Sequence, residues 1–171
     1  RSDWIAAGFQ ALITGGPQAL RIEALARAMG TTKGSFYWHF TDLADLKAAL
    51  VQEWEQSART PPTSQPPPSM PARDRAAWRV DQIAAQAPRD FALRAWGRTD
   101  AGVQASARRV DLHRLADLRA VLAEAGLGAR AAEAGALTLL AALIGLDALD
   151  PVAAPDRRGP LRALTFAVLR G

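Results

Sequence analysis

Apolar residues recur along this chain at the spacing of helices, with glycine and proline marking the breaks. Ile5, Phe9, Leu12 and Ile13 share one face of residues 3–14, and Gly15, Gly16 and Pro17 end that pattern. Ile22, Leu25, Ala26 and Met29 follow at i, i+3, i+4, i+7 and predict a short second helix stopped at Gly30, a residue that tolerates a left-handed C-cap. Thr31 and Thr32 offer an N-cap hydroxyl for a third short helix running through Phe40. Thr41 or Asp42 caps a fourth, with Leu43, Leu46, Leu50 and Trp54 on one stripe. Thr60–Pro71 (TPPTSQPPPSMP) is too rich in proline for helix or central strand and predicts an extended loop. Beyond it the pattern predicts helices over 72–86, 88–98, 102–125, 129–149 and 160–169, punctuated by Gly126, Gly128, Pro151 and Pro155.

Composition agrees with an all-α fold of about nine helices. The apolar fraction of 49% is led by Ala and Leu, which lose least on entering a helix. The absence of cysteine removes disulfides, thiol chemistry and zinc-finger ligand sets, and fits a reducing cytoplasm. RSDWIAAGF shows neither a charged leader with a long apolar run nor a small-residue cleavage site, so no export signal is expected. The most apolar run, Ala136–Leu146, is well short of the roughly 20 residues a membrane span needs, and a buried helix without membrane partner is the expectation. The two histidines, His39 and His113, organise no carboxylates around them, so no metal site and no cofactor is expected.

Charge shifts attention from bulk to placement. The net charge is +4, yet residues 1–50 balance Arg1, Arg21, Arg27, Lys33 and Lys47 against Asp3, Glu23, Asp42 and Asp45. Most of the excess arginine lies between Arg59 and Arg130. A nucleic-acid role must therefore rest on local geometry.

GTTKGSFYWHF (Gly30–Phe40) supplies that geometry. On a helical wheel Phe36 and Phe40 share one face, Trp38 points away with Gly34 and Ser35 beside it, and Tyr37 and His39 lie on the flanks. Four consecutive rings cannot all face one core. A short helix, a tight turn at Gly30 and a second helix with polar and ring-bearing residues outermost is the helix-turn-helix arrangement, in which the second helix enters the major groove of DNA. Its N-terminal amides, with Thr31, Thr32, Lys33 and Ser35, can meet phosphate, and Gly34 allows close approach. Trp38 can press on a thymine methyl or a sugar, while Tyr37 and His39 donate to backbone oxygens.

IEALARAMGTTKGSFYWHFTDLADLKAAL (Ile22–Leu50) resembles the DNA-binding segment of the TetR (tetracycline-repressor) family of bacterial transcription regulators. The likeness covers residues 3 to about 50 without a gap. It implies a three-helix DNA-binding head over 1–47, with Thr32, Lys33, Tyr37, Trp38 and His39 at the DNA, Phe36 and Phe40 in the core and Lys47 near phosphate. It further implies that 48–171, including the Pro-rich loop 60–71, is a helical effector-binding and dimerisation domain whose last two helices pair with a second copy.

GALTLLAALIGLDAL and PLRALTFAVLRG are the most apolar of the remaining helices, so a homodimer through residues 132–170 is expected, with Leu137, Leu140, Ile144, Leu161, Leu164 and Val168 at its interface. Two heads would then read a palindromic double-stranded operator. Candidates for lining an effector pocket are Trp54, Trp78, Phe91, Trp96, Val103 and Ala107, each equally able to be plain core. With Leu115, Leu118 and Leu122 taken as the buried stripe of the long helix, Gln104 and Asp111 fall on it and Arg114 less squarely. Buried polar groups must be paired or face a cavity. Asp111 either pairs with an arginine such as Arg108 or Arg114, or joins Gln104 in lining the pocket.

The expected function is thus a DNA-binding transcriptional regulator, a repressor released from its operator when an unidentified small molecule favours the other dimer conformation. Two alternatives are a regulator without a small-molecule ligand, answering to a protein partner or acting architecturally, and an enzyme. No GxSxG, HExxH or P-loop occurs, and the GxGxxA echo at Gly126, Gly128 and Ala131 has no strand before it.

Overall fold

The computed structural model describes residues 1–59, 66–149 and 158–170. The part of the expected Pro-rich loop over 60–65 and the breaks expected at Pro151 and Pro155 lie outside the described residues. All regular structure among the described residues is helical: α1 (Ser2–Gly15), a 3-10 turn (Pro17–Ala19), α2 (Ile22–Ala28), α3 (Lys33–Tyr37), α4 (Leu43–Arg59), α5 (Ala72–Ala84), α6 (Ala87–Gly97), α7 (Ala101–Glu124), α8 (Ala129–Ala148) and α9 (Arg158–Val168).

The stops and starts have local causes. Gly30 follows α2 with φ 65°; its N–H bonds Arg27 O at 3.2 Å and that of Thr31 bonds Ala26 O at 2.9 Å. This pair of bonds closes a helix C-terminus and needs a left-handed residue, which glycine adopts without strain. Thr32 caps α3, its hydroxyl oxygen accepting from Ser35 N. Of the two caps expected for α4, the side-chain bond belongs to Asp42, whose Oδ1 accepts from Asp45 N at 2.8 Å, while Asp45 Oδ2 accepts from Thr41 N at 3.0 Å. Asp100 opens α7 in the same way, with Oδ1 accepting from Gly102 N and Val103 N.

Two compact units emerge, and they divide the chain differently from the expected functional boundary at 47/48, which falls inside α4. One comprises residues 1–57 and 89–107, the other 58–88 and 108–171. In the first, α1 to α4 bury Trp4, Phe9, Leu12, Leu25, Phe36, Phe40, Leu46, Leu50 and Trp54. Trp4 is fully inside although the apolar spacing in α1 points to Ile5 and Ile13, and Ile13 is 38% exposed. Trp54 is buried with a polar handle that needs a partner; its Nε1 donates to Oδ1 of the buried Asp90 at 2.7 Å, tying α4 to α6.

In the second unit, α5, α8 and α9 pack on one another. Its core gathers Ala76, Val80 and Ile83 of α5, Leu118 and Leu122 of α7, Ala132, Ala136, Leu139, Leu140 and Leu143 of α8, and Leu161 of α9. The window Ala129–Leu146 has the length and apolarity of a membrane span, a longer stretch than Ala136–Leu146 alone. Within this fold the same helix supplies five residues to the core. Arg162 of α9 lies 3.7 Å from Asp81 of α5.

On α7 the buried positions are Val103, Ser106, Ala107, Val110, Arg114, Leu118 and Leu122. Gln104 is exposed and Asp111 half-buried, so the stripe is rotated from the expected one, and its polar members are Ser106 and Arg114. Arg114 is 2% exposed, and its Nη2 donates to Gln86 Oε1 at 3.1 Å. The cause lies in the spacing: from Val103 to Leu122 the buried face advances mostly by four residues at a time, more than the roughly 3.6 of a helical turn. It therefore drifts around the wheel, and a stripe set by Leu115, Leu118 and Leu122 misplaces Gln104 and Asp111.

Candidate nucleic-acid interface

The segment 31–40 divides its side chains cleanly. Phe36 is fully buried and Phe40 is 2% exposed, whereas Tyr37 is 59% and Trp38 86% exposed. Phe36 is the anchor: its ring meets Trp4 edge-on at 5.2 Å, stacks with Phe40 at 5.3 Å and meets Tyr37 edge-on at 5.4 Å. Aromatic pairs in these arrangements add to the burial of their area. The five-residue α3 is too short to persist alone, so this ring cluster is what holds it.

α3 stops at Tyr37, three residues before the expected end at Phe40. Trp38 is the C-cap, and the N–H groups of both His39 and Phe40 bond Phe36 O, at 2.9 and 3.0 Å. Phe40 must return to stack on Phe36, and Asp42 must cap α4 immediately after, so the chain turns through 38–41. The turn still presents Trp38 and His39 to solvent.

Around this face Thr32, Lys33, Gly34, Tyr37, Trp38 and His39 are exposed, while Thr31 and Ser35 are half-buried. The Thr32 hydroxyl oxygen already accepts from the Ser35 amide at 3.4 Å, so that N–H is taken by the cap while the Thr32 O–H remains a donor. Lys33 pairs with Glu23 of α2, both about half exposed. The hydrogen bond from Lys33, followed by one to the Glu23 backbone, holds the Glu23 carboxyl below the usual carboxylate range. Lys47 is half-buried, its ammonium 5.9 Å from the centroid of the Trp96 ring, at the outer reach of a cation–π contact.

Two participants escape a reading of the sequence. Glu23 is one, because its partner sits on another helix. Arg1 is the other: its guanidinium donates to the His39 carbonyl, lies 4.2 Å over the Phe40 ring and comes within 3.9 Å of Asp45. It fastens the turn carrying Trp38 and His39 to the start of α1. No spacing rule links residues so far apart.

The residues expected to line an effector pocket divide between the units. Trp54, Phe91, Trp96, Val103, Gln104 and Ala107 belong to the first, Trp78 and Asp111 to the second. Trp54, Trp96, Val103 and Ala107 are buried, and Phe91 is 48% exposed. In the second unit a cavity of about 280 Å³ is lined by Trp78 together with Arg59, Pro66, Arg79, Asp117, Ala120 and Val121. Of the residues expected at a dimer interface, Leu140 and Leu161 lie in the core of the second unit, and Ile144, Leu164 and Val168 pack partly against it. Leu137 is 60% exposed. Among the described residues no group of His, Cys, Asp and Glu is placed to hold a metal ion.

Comparison with known proteins points the same way. Residues 5–52 match the family model described as bacterial regulatory proteins, tetR family. No curated protein matches the chain. The fold is similar to that of a transcriptional regulator from Rhodococcus sp. Rha1, with a TM-score of 0.75, 21% identity and coverage of 99% of this chain and 96% of that one. It is also similar to a Rhodococcus sp. protein assigned to the TetR family of transcriptional regulators, with a TM-score of 0.66 and 16% identity over 99% of this chain and 96% of that one. At these identities the likeness establishes the fold.

Proposed function

We propose that the chain, whose residues 5–52 match the family model of tetR-family bacterial regulatory proteins, is a transcriptional repressor acting as a homodimer on a palindromic operator and released by a small-molecule effector. The observation that carries this reading is the exposure of Trp38 and Tyr37 on the segment whose Phe36 and Phe40 are buried. A large indole held out by a fixed anchor suits a surface that meets a partner. On duplex DNA, Trp38 would contact base methyls or sugars, with Thr31, Thr32, Lys33, Gly34, Ser35, Tyr37, His39 and Lys47 positioned for phosphate and groove walls. Residues 1–47 would form the DNA-reading part and 48–171 the effector-binding and dimerising part. No catalytic step enters this function.

The dimer surface differs in detail from the apolar positions of α8 and α9 counted together. Leu140 and Leu161 already serve the core. Among the exposed residues of α8 are Ala134, Leu137, Thr138, Ala141 and Gly145, beside the charged Arg130 and Glu133, and among those of α9 are Ala163 and Ala167, beside Arg162. On α8, Ala134 and Ala141 stand next to Leu137 by helical spacing and Thr138 follows it in the chain, and these small residues would let helices of a second copy approach closely. A pair of heads then demands two half-sites about one DNA turn apart.

Selection of bound fragments from a random DNA pool tests the proposal. Enrichment of a palindrome whose binding is lost on joint Tyr37→Ala and Trp38→Ala substitution is expected. Recovery of fragments without two-fold symmetry, or binding indifferent to the double substitution, would overturn it.

A further inference from the structure

The cavity in the second unit has a composition that selects its occupant. One wall is a stripe of α7, in which Asp117, Ala120 and Val121 stand at i, i+3, i+4 and so share a face. Another is formed by Trp78 and Arg79, neighbours on α5, and the lining is completed by Arg59, in the last turn of α4, and Pro66. Arg79 is committed: its guanidinium pairs with Asp117, and its side chain is only 12% exposed. His113, one turn before Asp117, lies 3.8 Å from the same carboxylate. Arg79 and Asp117 therefore neutralise each other within the lining, and Arg59, exposed, adds a positive charge that no acidic residue of the lining balances. Trp78 is half-buried and contributes to the cavity.

We propose that this cavity binds a planar aromatic monocarboxylate, its ring against Trp78 and the side chains of Pro66, Ala120 and Val121 and its carboxylate on Arg59. A guanidinium engages a carboxylate through two parallel N–H···O bonds, and the net positive lining excludes an organic cation. A volume of about 280 Å³ sits at the lower end of ligand sites, which limits the occupant to one or two fused rings. This inference rests on the reading of the C-terminal part as effector-binding and names the chemical class of the effector.

The test is titration calorimetry on the full chain with benzoate, 1-naphthoate and indole-3-acetate, each beside its neutral primary amide. At least one carboxylate binds about tenfold or more tightly than its amide, as a charge-assisted contact requires. Arg59→Gln brings the acid down to the affinity of the amide, and Trp78→Ala weakens both. Circular dichroism confirms that each variant is folded, and Arg59→Lys, which keeps the charge without the planar fork, retains part of the preference for the acid. No binding by any of the three acids, equal binding of acid and amide, or a preference unchanged in Arg59→Gln overturns the proposal. The same acid is then added to the protein–DNA complex. Binding without release of DNA leaves the site standing and removes the effector-release mechanism; release of DNA by an acid whose affinity is indifferent to Arg59 and Trp78 does the reverse.

Discussion

Glu23 on α2 holds Lys33, the first residue of α3, in an ion pair across the turn that joins them. A lysine offered to phosphate is thus already neutralised by its own chain, and binding DNA requires the ammonium to exchange one anion for another. Glu23→Gln should remove that competition. Affinity should rise severalfold at low salt, and log K against log salt should steepen by up to about one unit per head, the increment for one more phosphate neutralised. The measurement is operator binding across a salt series. The depressed pKa keeps Glu23 ionised to pH values below its ordinary titration range, so the pair is present throughout neutral pH and is lost only as pH falls through the lowered value. The difference between wild type and Glu23→Gln should accordingly be the same at pH 6 and pH 8.

The division of labour between Phe36 and Trp38 separates folding from binding. Phe36→Ala removes the fully buried ring that touches Trp4, Phe40 and Tyr37, and large-to-small changes of buried aromatic rings cost about 3–5 kcal/mol. Trp38→Ala acts on a side chain that is 86% exposed and should change stability by no more than about 0.5 kcal/mol, as surface substitutions do. Urea denaturation reads the first effect and DNA binding the second. A Trp38→Ala variant that unfolds more readily yet binds DNA unchanged would reverse the assignment.

Gly135 lies where α8 meets α9. A Cβ there would fall 2.5 Å from Cγ1 of Val168 and 3.1 Å from Leu122 Cδ1. Alanine favours helix by about 1 kcal/mol over glycine, but overpacking costs about 1–3 kcal/mol, and the β-branched Val168 has few rotamers by which to withdraw. Gly135→Ala should therefore destabilise. Val168→Ala removes the obstructing methyls, so the double variant should be more stable than the sum of the single effects implies. A double-mutant cycle by denaturant unfolding measures that coupling.

How far the sequence discloses this molecule depends on whether the deciding contact is local. Gly30, Thr32 and Asp42 are legible because a cap or a left-handed turn involves residues within a few positions, and the alternation of Phe36, Trp38 and Phe40 is legible because a wheel needs only helical spacing. The early end of α3 is not, since it follows from Phe40 folding back on Phe36 while Asp42 serves α4. Gln104 leaves its expected stripe while Arg114 keeps its place there, because the buried face of α7 drifts around the wheel along the helix. The pairing of Glu23 with Lys33 and the reach of Arg1 to the His39 carbonyl join separate elements and carry no period. The apolar surface of α8 and α9 is legible as a quantity, but which leucines it spends internally depends on α5, and that packing makes Leu140 and Leu161 core.

That last distinction makes the dimer proposal testable at single positions. Leu137 is 60% exposed, so an arginine there should leave the monomer fold nearly untouched while placing a charge in the middle of the proposed contact, where like charges from two copies would meet. Sedimentation equilibrium should show Leu137→Arg shifted to monomer with an unaltered helical spectrum. Affinity for a single half-site should survive, and affinity for the full palindrome should fall by about tenfold or more, because two linked heads gain from effective concentration. Leu140→Arg, by contrast, buries a charge in the core of the second unit and should unfold that unit whatever the oligomeric state. If Leu137→Arg remained dimeric while folded, the exposed face of α8 would not be the interface.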